Sequence, residues 1–212
     1  MDAEKIFTVE ETYTLQEIMN IAFGQSAADL AEVIDTYVVL NVPYLTIMQM
    51  TELPHYLSEN VQEHKKISVV EQKFRGRFRG DALLIFSSGA GKELMNMLEQ
   101  DETFGSAYDL VEIVERETLM EVGNILIGAC VGRLAELLKD VVTYTPPSVI
   151  VETDYNEEVF ESRYGMNDTV IVLKTNFTFE KGNVSGLLFL VTNQESISWL
   201  KNALRLFIEQ YE

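Results

Sequence analysis

Glu17 and Asn20 stand three residues apart, and so do Glu121 and Asn124. Each pair is followed by a glycine, Gly24 or Gly128, and then by a proline, Pro43 or Pro147, so that all four residues recur at a displacement of 104. The surrounding segments, EIMNIAFGQSAADLAEVI and EVGNILIGACVGRLAELL, also share Ile21/Ile125 and the tripeptides Leu30-Ala31-Glu32 and Leu134-Ala135-Glu136. A duplicated pattern fixes architecture before any single residue is interpreted. Here the duplication includes a carboxylate and a carboxamide, which core packing does not require.

On a helix, residues at i and i+3 lie side by side on one face, so each glutamate projects together with its asparagine. One turn on come Gly24 and Gly128, then Ala28 and Gly132, then Ala31 and Ala135. This stripe of small residues either lets two helices cross closely or leaves a low, accessible surface beside the polar pair. A glycine inside a helix costs ~1 kcal/mol and wants one of these reasons.

A glutamate and an asparagine do not make a self-contained enzyme. No Ser/His/Asp arrangement is visible, no nucleophile stands beside a base, and the two histidines, His55 and His64, fall in a segment that reads as a surface loop. One carboxylate and one amide would bind a metal weakly. The pair does suit chemistry that is mostly positioning. Transfer of a phosphoryl group to water needs an oriented water in line with the leaving group, together with stabilisation of charge around phosphorus. A carboxamide can orient that water, and a carboxylate can hold a lysine of a phosphorylated partner.

The elements that must carry these residues have the same order in each half. Helical spacing of apolar residues runs from about Thr12 to Ile34 and again from Ala107 to Leu138. Strand-like runs follow at Tyr37 to Met50, Lys66 to Arg77 and Ala82 to Phe86, then at Val142 to Asp154, Thr169 to Glu180 and Val184 to Thr192. Lys181-Gly182-Asn183 reads as a hairpin turn. A shorter helix closes each half, from Lys92 to about Glu99 and from Gln194 to Gln210. Ala82-Leu83-Leu84 matches Gly186-Leu187-Leu188 at the same displacement, and no Pro- or Ser-rich linker separates the halves. The expectation is an α/β fold with a pseudo-two-fold internal repeat. Its two repeats, about 12–99 and about 107–210, form a single domain over residues 1–212 with a mainly antiparallel six-stranded sheet and two long exposed motif helices.

Hydrophobic residues make up 47% and charged residues 24% of the 212 residues, a globular composition able to bury a sizeable core. The net charge of -18 argues against binding nucleic acid or an anionic membrane surface. The only cysteine, Cys130, excludes an internal disulfide and reads, among Ile127, Ala129 and Val131, as a buried structural thiol. The acidic N-terminus has no signal-peptide pattern, and no run approaches the ~20 apolar residues of a membrane span. A cytoplasmic protein without membrane insertion is expected, in which the sequons at Asn167, Asn176 and Asn183 are chance matches.

Two copies of Glu-x2-Asn, each followed after 22 residues by a proline, resemble the CheC class of the CheC/CheX/FliY chemotaxis phosphatases. The resemblance covers nearly the whole chain. It implies a phosphatase that hydrolyses the aspartyl phosphate of a CheY-like response regulator. Asn20 and Asn124 would orient the attacking water, and Glu17 and Glu121 would pair with the lysine beside the phosphorylated aspartate. The protein would need no cofactor of its own, since Mg²⁺ would belong to the regulator's site. The resemblance also allows a non-enzymatic adaptor that binds a response regulator or a CheD-like deamidase. Two motifs in one chain differ from the single motif of the CheX type, and the chain stops too soon after the second repeat for the further switch-binding domain of the FliY type. Fused repeats satisfy each other's edges, so a monomer is expected.

The chain departs from the family pattern in places. Tyr13 and Glu117 stand where Asp or Ser is usual, and Met19 replaces the glycine that Gly123 retains before the asparagine. A bulky Met19 would crowd a docking helix, which makes the second site the stronger expectation. Gly89-Ala90-Gly91-Lys92 lacks the first glycine of a phosphate loop, because Phe86 stands there, and reads as a tight turn into a helix. Lys73, Arg75, Arg77 and Arg79 alternate with Phe74, Gly76, Phe78 and Gly80. That basic face suggests an edge strand guarded by charge, or a docking patch for an acidic partner. Met48, Met50, Met95 and Met97 read as core fillers.

Overall fold

The computed structural model describes residues 6–34, 37–40, 44–61, 66–98, 108–154, 164–165, 167–179 and 182–210. Helix α1 (Val9–Ile34) leads into β1 (Val38–Leu40), β2 (Tyr44–Gln49), a 3₁₀ turn (Met50–Glu52) and α2 (Leu53–Val61). The hairpin β3 (Lys66–Arg75) and β4 (Gly80–Ser87) and the helix α3 (Ala90–Leu98) complete the first half. The second half contains α4 (Tyr108–Leu137), β5 (Thr143–Tyr144), β6 (Ser148–Asp154), β7 (Thr169–Phe179), β8 (Gly182–Thr192) and α5 (Gln194–Glu209).

Local chemistry explains several boundaries. Helix α1 begins three residues before the apolar periodicity does, because Thr8 and Glu11 cap it reciprocally. The Thr8 N–H donates to Glu11 Oε2 at 2.9 Å, and the Glu11 N–H donates to Thr8 Oγ1 at 3.1 Å. Helix α2, read from sequence as loop, starts at Leu53-Pro54, where proline suits a first helical turn. His55 therefore sits exposed on a helix, 3.3 Å from Glu59 one turn away, while His64 lies outside the described residues. Gly89 adopts φ +82° just ahead of α3, so the Gly89-Ala90-Gly91-Lys92 segment is indeed a turn into a helix.

Among the described residues the sheet has eight strands in an antiparallel arrangement rather than six. In the second half, the long strand expected ahead of the hairpin is broken into β5 and β6 at Thr145-Pro146-Pro147, where the prolines have no N–H to donate, while residues 41–43, between β1 and β2, lie outside the described residues. The centre of the sheet is the pairing of β4 with β8, flanked by β3 and β7. The outer strands are exchanged between halves: β2 pairs with β7 and β6 pairs with β3. Neither half can complete its own sheet.

The pairing registers reveal a pseudo-two-fold axis. Leu84 pairs with Leu188, which is its own repeat at displacement 104. Ser26 Oγ likewise lies 3.4 Å from Cys130 Sγ, again its own repeat, where α1 packs against α4. The displacement changes to 103 in the flanking strands. Lys174 pairs with Tyr44 as Glu71 pairs with Ser148, and Phe177 pairs with Leu40 as Phe74 pairs with Tyr144. A register shift between Ile67 and Val69 interrupts the β3–β6 ladder and has no counterpart in β2–β7.

All the longer helices cover one face of the sheet. Leu15, Ile18, Phe23, Leu30, Leu119, Ile127 and Leu134 bury there with Val70, Phe74, Leu84, Leu173 and Leu188. The other face carries a smaller cluster in which Met48 and Met50 pack with Leu53, Val69, Ile85, Val172 and Phe189. Helix α4 corrects one expectation, since Glu112–Leu137 is long and apolar enough to cross a membrane. Its apolar stripe is instead occupied by α1 and the sheet. Strand β3 corrects another: it is paired on both sides, so the basic residues Lys73 and Arg75 do not guard an edge. Arg77 and Arg79 lie in the turn beyond it. Asp140 Oδ2 accepts from the Arg77 and Phe78 N–H groups, and Arg79 pairs with Glu195.

Cys130 is 1% exposed, and burial pushes its thiol up to about 12 from 9.0, more than the contact with Ser26 lowers it. Because the folded value is the higher one, the neutral thiol contributes its full stability below pH 9.0, and that contribution is lost as pH climbs towards about 12. Native protein at pH 8 should therefore resist a thiol reagent that labels the denatured chain at once. Replacing Cys130 by Ser should flatten the loss of unfolding free energy above pH 9.0, measured by urea titration across that range.

Candidate functional site

The two polar pairs lie where helical periodicity puts them. Leu15, Ile18, Ala22, Phe23, Ser26 and Leu30 turn inward on α1, as Leu119, Val122, Leu126, Ile127, Cys130 and Leu134 do on α4. Glu17, Glu121 and Asn124 are exposed on the remaining face, and Asn20 is half-buried. Each pair thus occupies the outer side of a helix whose inner side makes the pseudo-two-fold contact. Gly24 and Gly128 settle the alternatives for the small stripe. A Cβ built on either would meet nothing within 4 Å, so neither serves close packing. They keep open surface one turn from each asparagine. The stripe ends at Ala135, which is buried.

The two asparagines differ in what holds them. Gln72 on β3 donates from Nε2 to Asn124 Oδ1 at 2.8 Å and to the Thr145 carbonyl at 3.0 Å. Thr145 is itself fixed to β3, since its N–H donates to the Lys73 carbonyl at 3.0 Å and its Oγ1 accepts from the Lys73 N–H at 3.2 Å. Behind this network, Tyr144 donates its hydroxyl to the Gly128 carbonyl at 3.1 Å. Burial pushes that phenol up to about 12, aided by the neighbouring Cys130. In the first site, Asn20 Oδ1 is buried and has no hydrogen-bond partner among the described residues. Pro43, the repeat of Pro147, lies outside the described residues.

Met19 does not crowd the surface. It is 1% exposed and belongs to the core, because its position faces inward on α1. Gly123, its repeat, faces the same way on α4, and a Cβ there would come within 2.6 Å of Val70 Cγ1. The difference between Met19 and Gly123 is thus one of helix-to-sheet packing, not of docking. A difference between the sites that the structure does show is Gln72, which no motif spacing indicated. A faint signal did exist: Gln72 interrupts the apolar alternation of Val70 and Phe74 on one face of β3.

Gly123 and Gly128 make opposite predictions from similar chemistry. Alanine at Gly123 must displace Val70 and should destabilise the protein by about 1–3 kcal/mol. Alanine at Gly128 meets open space and gains helix propensity, so stability should rise by about 0.5–1 kcal/mol. Urea unfolding followed by circular dichroism measures both.

Residues 114–151, which include Glu121, Asn124 and Pro147, match the CheC-like family. The whole architecture is shared with solved structures at low identity. FliY of Thermotoga maritima is 18% identical with a TM-score of 0.71, the alignment covering 95% of this chain and 98% of that one. FliM from a FliM–SpeE complex of H. pylori is 9% identical with a TM-score of 0.63, covering 95% and 98%. CheX from a CheX–CheY–BeF3–Mg complex of Borrelia burgdorferi is 17% identical with a TM-score of 0.52, covering 82% and 97%. The segment around the second motif is thus CheC-like, and over most of its length the chain shares the fold of FliY, FliM and CheX.

Proposed function

We propose that this protein is a chemotaxis phosphatase that removes phosphate from the aspartyl phosphate of a CheY-like response regulator. The observation that carries this reading is the placement of both Glu-x2-Asn pairs on the outward side of paired helices, each beside open glycine surface. A docked regulator can bring its phosphoryl group against such a face. The relative from Borrelia burgdorferi was solved with CheY, which supports a partner of that kind.

The chemistry asks little of the chain. Glu121 takes the lysine beside the regulator's phosphoaspartate and sets the docking register. Asn124 accepts a hydrogen from water on its free Oδ1 lone pair and donates from Nδ2 to a phosphoryl oxygen. The water oxygen then bonds to phosphorus as the bond from phosphorus to the aspartate oxygen breaks. Aspartate leaves as its carboxylate, and the water proton ends on inorganic phosphate. The regulator brings Mg²⁺ with its own site. Positioning and charge stabilisation together carry such reactions.

The same fold supports a second reading. FliM relatives of this architecture were solved in complexes with SpeE and with FliG. A protein that binds a response regulator, or a CheD-like deamidase, and acts by occupancy would use the same surface. Catalytic amounts of protein against excess phosphorylated regulator separate the two, because an adaptor clears phosphate at most stoichiometrically.

Asn124→Ala should remove most of the turnover while binding to beryllofluoride-activated regulator persists, since water is held mainly in the transition state. Asn20→Ala should cost less, and the double variant should leave only the regulator's own dephosphorylation. Glu121→Ala should weaken binding as well as rate. Near-normal turnover in the double variant would overturn the mechanism.

A further inference from the structure

Gln72 is a buried amide that the core does not need. It is 3% exposed, and its side chain interrupts an otherwise apolar face between Val70 and Phe74. Both Nε2 hydrogens are engaged, one by Asn124 Oδ1 and one by the Thr145 carbonyl. Its Oε1 is buried without a partner among the described residues. An unsatisfied buried acceptor costs about 1–3 kcal/mol, so a leucine or methionine here would suit folding better.

We propose that Gln72 is a positioning residue for Asn124 and that it makes the second motif the dominant site. This rests on the phosphatase reading and deepens it. With Gln72 donating to Oδ1, the carboxamide of Asn124 cannot turn over without opposing two N–H donors. Its second Oδ1 lone pair and both Nδ2 hydrogens are thereby presented in one fixed arrangement. Neither Nδ2 hydrogen has a protein partner among the described residues. Water orientation needs that fixity, because an amide free to flip exchanges its acceptor for a donor.

The first motif shows no such holder among the described residues. Strands β3 and β7 correspond at displacement 103, so the residue in register with Gln72 is Thr175, which carries no amide. Asn20 Oδ1 correspondingly lacks a partner among the described residues. The inequality between the sites is thus set in the sheet rather than in the motif helices.

The test uses the full chain with Gln72→Met, which keeps the length and removes the donors, and Gln72→Asn, which stays polar but falls short of Asn124. Each is combined with Asn124→Ala. Two readouts are taken: the Asn124 side-chain NH2 signals in a 15N–1H spectrum, assigned by their loss in Asn124→Ala, and kcat and KM for a phosphorylated CheY-like regulator. Wild-type Asn124 signals should be shifted from the free-amide position and should return to it in either variant. The kcat should fall about tenfold with KM nearly unchanged, and neither variant should lower activity further once Asn124 is alanine. If Gln72→Met does not fold, Gln72→Asn carries both readouts. Unmoved amide signals overturn the proposal, and so do shifted signals with unchanged kcat, or an equal loss of kcat in the Asn124→Ala background. A wild-type protein without turnover would sink the phosphatase reading instead, and the spectrum would still decide whether Gln72 holds the amide.

Discussion

The contact between Ser26 and Cys130 is the constraint on which the rest of the structure depends. Each residue is the repeat of the other, so their meeting forces a two-fold relation between α1 and α4 at that point. Both must be small, because a side chain that meets its own equivalent occupies the crossing twice. Ser26 donates its hydroxyl to the Ala22 carbonyl at 2.7 Å, which leaves the Cys130 thiol to donate to Ser26 Oγ. The polar contact is satisfied inside an apolar layer, as burial requires.

From that crossing the positions of both motifs follow. With Ser26 and Cys130 turned inward, residues about two turns earlier on the opposite side of each helix face outward, and these are the glutamates and asparagines. The sheet below repeats the same symmetry through Leu84 and Leu188. The exchange of β2 and β6 ties the halves together, because each outer strand needs the other half's hairpin for its ladder. The shorter helices follow suit, with α3 packing on α4 and α5 packing on α1. On the α5 side, Arg205 donates to Glu11 at 3.1 Å, and Lys201 donates to the Ile6 carbonyl at 2.7 Å, holding the start of α1.

Symmetry of backbone does not give the two motifs identical surroundings. At displacement 103 between β3 and β7, Thr175 is the residue in register with Gln72, and a register shift appears in only one outer ladder. Small offsets of this kind are enough to give two identical motifs different surroundings. They alter what lies beneath the motif side chains, and Asn20 is half-buried where Asn124 is exposed.

Much of this was legible in the sequence. Periodicity of 3.6 placed Glu17, Asn20, Glu121 and Asn124 on one side of each helix, runs rich in β-branched and aromatic residues located the strands to within a few residues, and the repeat predicted the pseudo-two-fold. These are local signals, in which neighbours along the chain decide the outcome. Tertiary structure alone decided the rest. Met19 turned inward because α1 packs on the core there, and β3 ceased to be an edge because β6 crosses from the other half to pair with it. Gln72 met Asn124 across 52 residues of chain. Periodicity tells which side of an element a residue takes, whereas what stands opposite that side depends on how elements distant in sequence are brought into register.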